Sequence, residues 1–291
     1  MPNAPIISTQ WLSDHLEDDN LRIIDASWRL PGNDDIPAFD AYTERHINNA
    51  VFFDIDKIAA QNTAHDNELD LPHMAPSAHM FEEAMSAFGI SNQDSIVVYD
   101  DAGLFSAARV WWTFKAMGHK PVYVLDGGLP KWLKENRPVN AQVPKFATTA
   151  YKASPSEGAF ISHDQIRQNA SVPVLDARPA PRFMGEAPEP RPHLRRGHMP
   201  GAKNLPFGQL LDKDGTLLTD SILLERFKAL NVTQQSGAMT SCGSGITAAI
   251  LNLAMEKLGI PQHGLYDGAW AEWGHPANDP DLFPVVKTAN D

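Results

Sequence analysis

Cysteine is nearly missing from this sequence: Cys242 is the only one in 291 residues. A single thiol cannot close an intramolecular disulfide or build a thiolate metal cluster, and such scarcity fits a reducing compartment. Basic charge is also short, with 24 Lys and Arg against 36 Asp and Glu and a net charge of −12. That excludes the cationic footprint of a nucleic-acid binder. No apolar run approaches the ~18 residues of a membrane span. The start, Met1-Pro2-Asn3-Ala4-Pro5-Ile6, lacks the charged and apolar stretches of a secretory signal. We therefore expect a cytoplasmic protein with no nucleic-acid or membrane partner. What is present is ordinary for a globular chain, at 43% hydrophobic and 21% charged. Its length suggests two domains at the usual ~150 residues each.

An internal repeat supports that division. Val124-Leu125-Asp126-Gly127-Gly128-Leu129-Pro130-Lys131-Trp132 is echoed by Leu265-Tyr266-Asp267-Gly268-Ala269-Trp270-Ala271-Glu272-Trp273. Ile23-Ile24-Asp25-Ala26-Ser27 matches Val174-Leu175-Asp176-Ala177-Arg178, and the segment from His46 to Ala50 matches that from His198 to Ala202. Counting back the same distance from Asp126 and from Asp267 reaches Asp101 and Cys242. The lone cysteine thus stands where its sister repeat carries aspartate. Each half alternates short β-branched runs with helical patterns, the mark of a mostly parallel sheet flanked by helices, so the fold class is α/β, written twice. The expected boundaries are 1–140 for a first domain, 141–158 for a Pro-punctuated linker and 159–291 for a second domain.

The chemistry points to the cysteine. The sequence predicts a strand ending near Ser241, a tight loop Cys242-Gly243-Ser244-Gly245-Ile246-Thr247, and a helix from Ala248 to Leu258. Two glycines let successive N–H groups turn inward, and with the positive end of the helix they favour an anionic sulfur, thiolate or persulfide, over a neutral thiol. A buried structural cysteine is the ordinary alternative, and the strand, small-residue loop and helix around Cys242 argue against it. A phosphate-binding P-loop fails because no Lys follows the glycines.

These residues resemble the two-domain rhodanese-like sulfurtransferases over nearly the whole chain. The carriers are Cys242-Gly243-Ser244-Gly245-Ile246-Thr247-Ala248, the segments at His46 and His198, Asp176-Ala177-Arg178, Tyr266-Asp267-Gly268-Ala269-Trp270 with Glu272-Trp273, and Arg109-Val110-Trp111-Trp112 with Gly118-His119. Asn48-Asn49 departs from the family's usual Pro-Gly at the first His segment. The resemblance implies two tandem rhodanese-like domains, an inactive first copy and a catalytic second. It implies that Cys242 takes the sulfur of a donor such as 3-mercaptopyruvate, that pyruvate leaves, and that the persulfide passes its outer sulfur to cyanide or to a thiol such as reduced thioredoxin. No metal and no organic cofactor is expected.

Relatives that use thiosulfate carry Arg and Lys after the cysteine, whereas the loop here is uncharged. That favours 3-mercaptopyruvate, with thiosulfate as the alternative donor. Arg182 and Arg191 match the family positions that bind the substrate's carboxylate and keto oxygens, and a guanidinium fork suits a carboxylate. Arg178 is expected to brace the cysteine loop through an acidic neighbour. The family's proton relay would place Ser244 on the substrate carbonyl, His46 behind it, and Asp35, or the adjacent Asp34, against the imidazole. His198 reads as structural, and Trp270 and Trp273 as core. His65, His73 and His79 lack metal-ligand spacing and read as solvent-facing loop residues. A cysteine phosphatase would need an arginine about six residues after the cysteine; none stands there. An intact cysteine loop argues against a non-enzymatic binding module.

Overall fold

The computed structural model describes residues 2, 4–30, 36–59 and 69–287. They form two compact units. One comprises Met1–Ala60, Pro76–Ser156 and Leu211–Leu217, and the other Gln61–Ala75, Glu157–Leu210 and Leu218–Asp291.

The first unit carries β1 (Ile6–Ile7), β2 (Leu21–Asp25), β3 (His46–Ile47), β4 (Ala50–Phe52), β5 (Ser95–Tyr99), β6 (Val122–Leu125) and β7 (Val139–Asn140). Five of these make a parallel sheet in the order β1-β6-β5-β2-β4, and β3 pairs antiparallel with β7. The second unit carries β8 (Phe160–Ile161), β9 (Val174–Asp176), β10 (Lys203–Asn204), β11 (Ala238–Ser241) and β12 (Gln262–Tyr266). Its sheet, also parallel, runs β10-β9-β11-β12-β8. Read from the other edge this is the first sheet again, so the repeat seen in the sequence is a repeat of topology. The two α/β folds stand as expected.

Central strands β5 and β11 decide where chemistry can sit. Every residue of both is buried, the continuous burial of a strand covered on both faces. Each feeds a loop and then a ten-residue helix, Ala107–Ala116 or Ala248–Lys257, of which nine and eight residues are buried. A helix buried nearly all round cannot shift without opening the core, so the loop before it is held at a fixed place. The carboxyl ends of central parallel strands are where such sheets bind ligands.

Residues 141–156 contain neither helix nor strand, in keeping with their prolines, yet they are tied along the first unit. Thr149 N–H donates to Ser86 O at 3.1 Å, Ser154 N–H to Met117 O at 2.9 Å and Ser156 N–H to Ala116 O at 2.7 Å. Tyr151 and Ala153 are buried.

Candidate active site

Cys242 is free and 2% exposed, directly after β11. The helix Ala269–Trp273 anchors its loop: Trp270 N–H donates to Cys242 O and Ala271 N–H to Gly243 O, both at 2.9 Å. The two loop glycines serve different ends. Gly245 has φ +78°, a conformation that disfavours any side chain. Gly243 lies outside that region, but a Cβ there would stand 2.9 Å from Arg182 Nη2, so glycine admits the guanidinium against the loop backbone. Ser244 is 7% exposed, and its hydroxyl makes no hydrogen bond among the described residues.

A buried charge network supports this loop. Arg178 (1% exposed) donates Nη2–H to Asp176 Oδ2 at 2.7 Å, Nη1–H to Glu189 Oε1 at 2.9 Å, and Nη2–H to Gly197 O at 2.9 Å. Its guanidinium stacks 4.1 Å from the centre of the Trp270 ring, the residue that holds the Cys242 carbonyl. The brace expected of Arg178 is therefore present, with two carboxylates rather than one. Trp270 and Trp273 are core residues, 0% and 4% exposed.

Arg182, in the short helix Ala180–Phe183, spends the Nε and Nη2 edge of its fork on Glu189 Oε2, with the Nε contact at 3.0 Å. Nη1 and the second Nη2–H, the end-on edge of the fork, are left without a partner among the described residues. Glu189 thus takes the side-on edge of this arginine and leaves the end-on edge open. Arg191 Nη2 lies 3.2 Å from His73 Nε2. His73, expected in solvent, is 4% exposed, because it packs within the second unit beside a segment whose Ala75 N–H donates to Asp267 Oδ2 at 2.8 Å. His79 does face solvent, paired weakly with Glu83 at 3.7 Å. His65 lies outside the described residues. Glu189 escaped the sequence reading: a carboxylate seven residues from Arg182 in a Pro-rich stretch has no periodic signal.

His46 departs from its expected role. The ring is 0% exposed and stacked on Tyr42, with Nδ1 2.7 Å from Tyr42 O and Nε2 3.2 Å from Gln142 O. Both nitrogens face backbone carbonyls, which leaves none to polarise a substrate. His198 is built alike, stacked on Phe183 with Nδ1–H donating to Phe183 O at 2.8 Å. Asp35, and Asp34 beside it, lie outside the described residues.

The first unit has a different occupant at the equivalent place. Asp101 follows β5 and is ion-paired with Arg29. A cavity of about 790 Å³ opens here, lined among others by Asp25, Ser27, Arg29, Tyr42, Arg45 and Asp101. Where Asp176 meets Arg178 in the second unit, Asp25 meets Ser27, whose N–H donates to Asp25 Oδ1 at 2.9 Å. Burial without a cation pushes the Asp25 carboxyl up to about 6, against the opposing pull of its Ser27 hydrogen bonds. A carboxyl raised in the folded state favours the protonated form. Its stabilisation is complete below the unfolded value near 3.8 and is lost as pH rises through about 6. The lost contribution is about 3 kcal/mol at most. Asp25→Asn, neutral at every pH, is expected to flatten the decline in stability of the first unit between pH 4 and pH 7.5. Urea unfolding across that range checks this, and parallel stability curves for variant and parent would contradict it.

Known proteins place this geometry. The model of the rhodanese-like domain matches residues 8–135 and again 162–275. Thiosulfate/3-mercaptopyruvate sulfurtransferase 1, mitochondrial, of Arabidopsis thaliana is 39% identical over 96% of this chain and 78% of that protein. The 3-mercaptopyruvate sulfurtransferase of Escherichia coli strain K12 is 37% identical over 96% of this chain and 98% of its own. The crystal structure of SseA, a 3-mercaptopyruvate sulfotransferase from Escherichia coli, superposes with a TM-score of 0.81 at 34% identity, covering 92% of this chain and 99% of that one. With a cysteine loop before the central helix of one repeat, an aspartate in its place in the other, and relatives that match nearly the whole of this chain, the chain belongs to the rhodanese-like family and carries its domain twice.

Proposed function

We propose that this protein is a 3-mercaptopyruvate sulfurtransferase acting through a Cys242 persulfide. The observation that carries the reading is the loop itself: six uncharged residues before a ten-residue helix, with the Arg182 guanidinium lodged against Gly243. The Cys242 thiolate attacks the sulfur of 3-mercaptopyruvate, and a sulfur–sulfur bond forms as the carbon–sulfur bond breaks. The electron pair leaves on the three-carbon fragment as an enolate, which takes a proton to become pyruvate. A thiolate or cyanide then attacks the outer sulfur, and the Cys242 thiolate returns. Inward N–H groups and the helix end stabilise the anionic sulfur at both stages. Ser244, whose hydroxyl is uncommitted, is the group we assign to the substrate carbonyl; His46 is not part of this assignment.

Arg182 and Arg191 supply the positive charge that the loop lacks, Arg182 through the Nη1 and Nη2 edge that Glu189 leaves open. The acceptor is a small thiol, cyanide, or a reduced thioredoxin. Its supply from outside follows from the sequence, which has no second cysteine to resolve the persulfide. The same scarcity supports a cytoplasmic location. Among the described residues no helix is long and apolar enough to cross a membrane.

Steady-state kcat/KM with 3-mercaptopyruvate and with thiosulfate, measured on one preparation, tests the donor; a preference for thiosulfate would overturn the assignment. Arg182→Ala or Arg191→Ala is expected to lower kcat/KM for 3-mercaptopyruvate about 10- to 100-fold, the worth of one hydrogen bond to a charged group. Thiosulfate turnover should fall far less. Equal losses with both donors would assign the arginines to structure alone.

A further inference from the structure

The two repeats use the N–H groups of their equivalent loops in opposite ways. In the first unit, Asp100 is 0% exposed and its carboxylate turns under the loop that follows it. It accepts from Ala102 N–H at 3.0 Å, Phe105 N–H at 2.7 Å and Ala107 N–H at 2.8 Å. That loop carries its own anion, fixed in place. Burial raises the Asp100 carboxyl from its ordinary value and the three N–H bonds oppose the rise.

Ala107 opens the helix of the first unit and Ala248 that of the second. Asp101 and Cys242 each stand six residues before their helix, so the residues immediately upstream, Asp100 and Ser241, correspond. The three donors that Asp100 claims correspond to the N–H groups of Gly243, Ile246 and Ala248. Among the described residues, no oxygen of the second unit accepts from any of these three. Ser241 is 0% exposed, and its hydroxyl has no hydrogen-bond partner. A buried hydroxyl without a partner is uncommon and costs about 1–3 kcal/mol. It lies at the position from which the sister repeat fills its loop.

We propose that Ser241 is a positioning residue for sulfur transfer: its short, uncharged side chain leaves the N–H groups of Gly243, Ile246 and Ala248 open to a sulfur anion. A carboxylate at this position would occupy them from below. The difference between a loop that holds sulfur and one that does not therefore involves two adjacent positions, Cys242 against Asp101 and Ser241 against Asp100. Restoring a cysteine at position 101 alone would leave it above donors already spent on Asp100. This inference rests on the persulfide reading of Cys242 and adds a residue to it.

The test is the pH dependence of Cys242 alkylation by iodoacetamide in the full chain, read together with turnover of 3-mercaptopyruvate. Ser241→Asp is expected to move the alkylation midpoint up by about one pH unit or more, because the carboxylate both takes the donors and adds a like charge. At neutral pH the rate falls about tenfold, and kcat falls with it while KM changes little. Ser241→Asn offers a neutral oxygen of the same size and is expected to give a smaller shift in the same direction. Ser241→Ala leaves the donors open and should titrate nearer to the parent than either. If Ser241→Asp does not fold, Ser241→Asn carries the comparison with Ser241→Ala. A midpoint in Ser241→Asp or Ser241→Asn equal to that of the parent would overturn the proposal, as would Ser241→Ala shifting as far as they do. Failure of the persulfide reading would register separately, as a parent enzyme that alkylates normally but releases no pyruvate.

Discussion

Replacing Cys242 with serine is expected to stop sulfur transfer, by a factor on the order of 10⁴ or more, while both units keep their fold. The two side chains are close in size, and Cys242 is 2% exposed at the end of a fully buried strand, so the substitution leaves the packing almost unchanged. Stability should move by about 1 kcal/mol or less. The chemistry has no such tolerance. A serine hydroxyl is un-ionised at neutral pH, and its oxygen is a poor nucleophile toward sulfur. The chain holds no other thiol that could substitute. Two measurements decide the matter: pyruvate release from 3-mercaptopyruvate, and the intact mass of substrate-treated protein. The parent should gain one sulfur, removable by cyanide, and the serine variant none. Residual turnover in the serine variant within about a hundredfold of the parent would move the nucleophile away from position 242.

The parts of the site legible in the sequence are those whose signal is local. A strand, a small-residue loop and a helix follow one another within some twenty residues around Cys242, and each element reads from its own neighbours. The repeat made Asp101 legible in the same way, since counting along the chain needs no coordinates. Fold class followed from alternation, and the matching sheet orders of the two units bear it out.

What the sequence hid depends on partners remote in the chain or irregular in spacing. His46 stood at a family position, but its ring is closed off by the carbonyls of Tyr42 and of Gln142, the latter 96 residues away. Arg182 shares its guanidinium with Glu189, and nothing in Pro188-Glu189-Pro190 announces that this carboxylate folds back onto one edge of it. His73 reads as a solvent-facing loop histidine; its burial follows from packing that no periodicity records. Asp100 carries no signal of its own in the sequence, standing beside Asp101, the residue that replaces the nucleophile. Which of two adjacent carboxylates turns under a loop is decided by the pleat of β5 and the curl of the chain after it.

The second large effect concerns stability. Arg178→Met is expected to destabilise the second unit by about 3–5 kcal/mol, because it leaves Asp176, which has no access to water, without a cation and Glu189 with Arg182 alone. Side chains of Asp176 and Glu189 are 0% and 2% exposed, and Arg178 is the cation they share. Methionine keeps much of the aliphatic volume, so the loss measures the charge and its hydrogen bonds rather than a cavity. Removing one carboxylate as well should recover part of it. The double variant Arg178→Met/Asp176→Asn is therefore expected to be more stable than the single one, a coupling that urea unfolding of the four members of the cycle resolves. The damage should also reach the chemistry. Without the guanidinium stacked on Trp270, the ring whose backbone N–H holds Cys242 O loses a face, and Glu189 keeps only Arg182. Turnover of 3-mercaptopyruvate in Arg178→Met, measured well below its unfolding transition, should fall even though residue 178 itself is buried and touches no substrate. A variant that unfolds like the parent, or a double variant no better than the single, would mean that the two carboxylates find compensation elsewhere and that the triad is not what holds the loop.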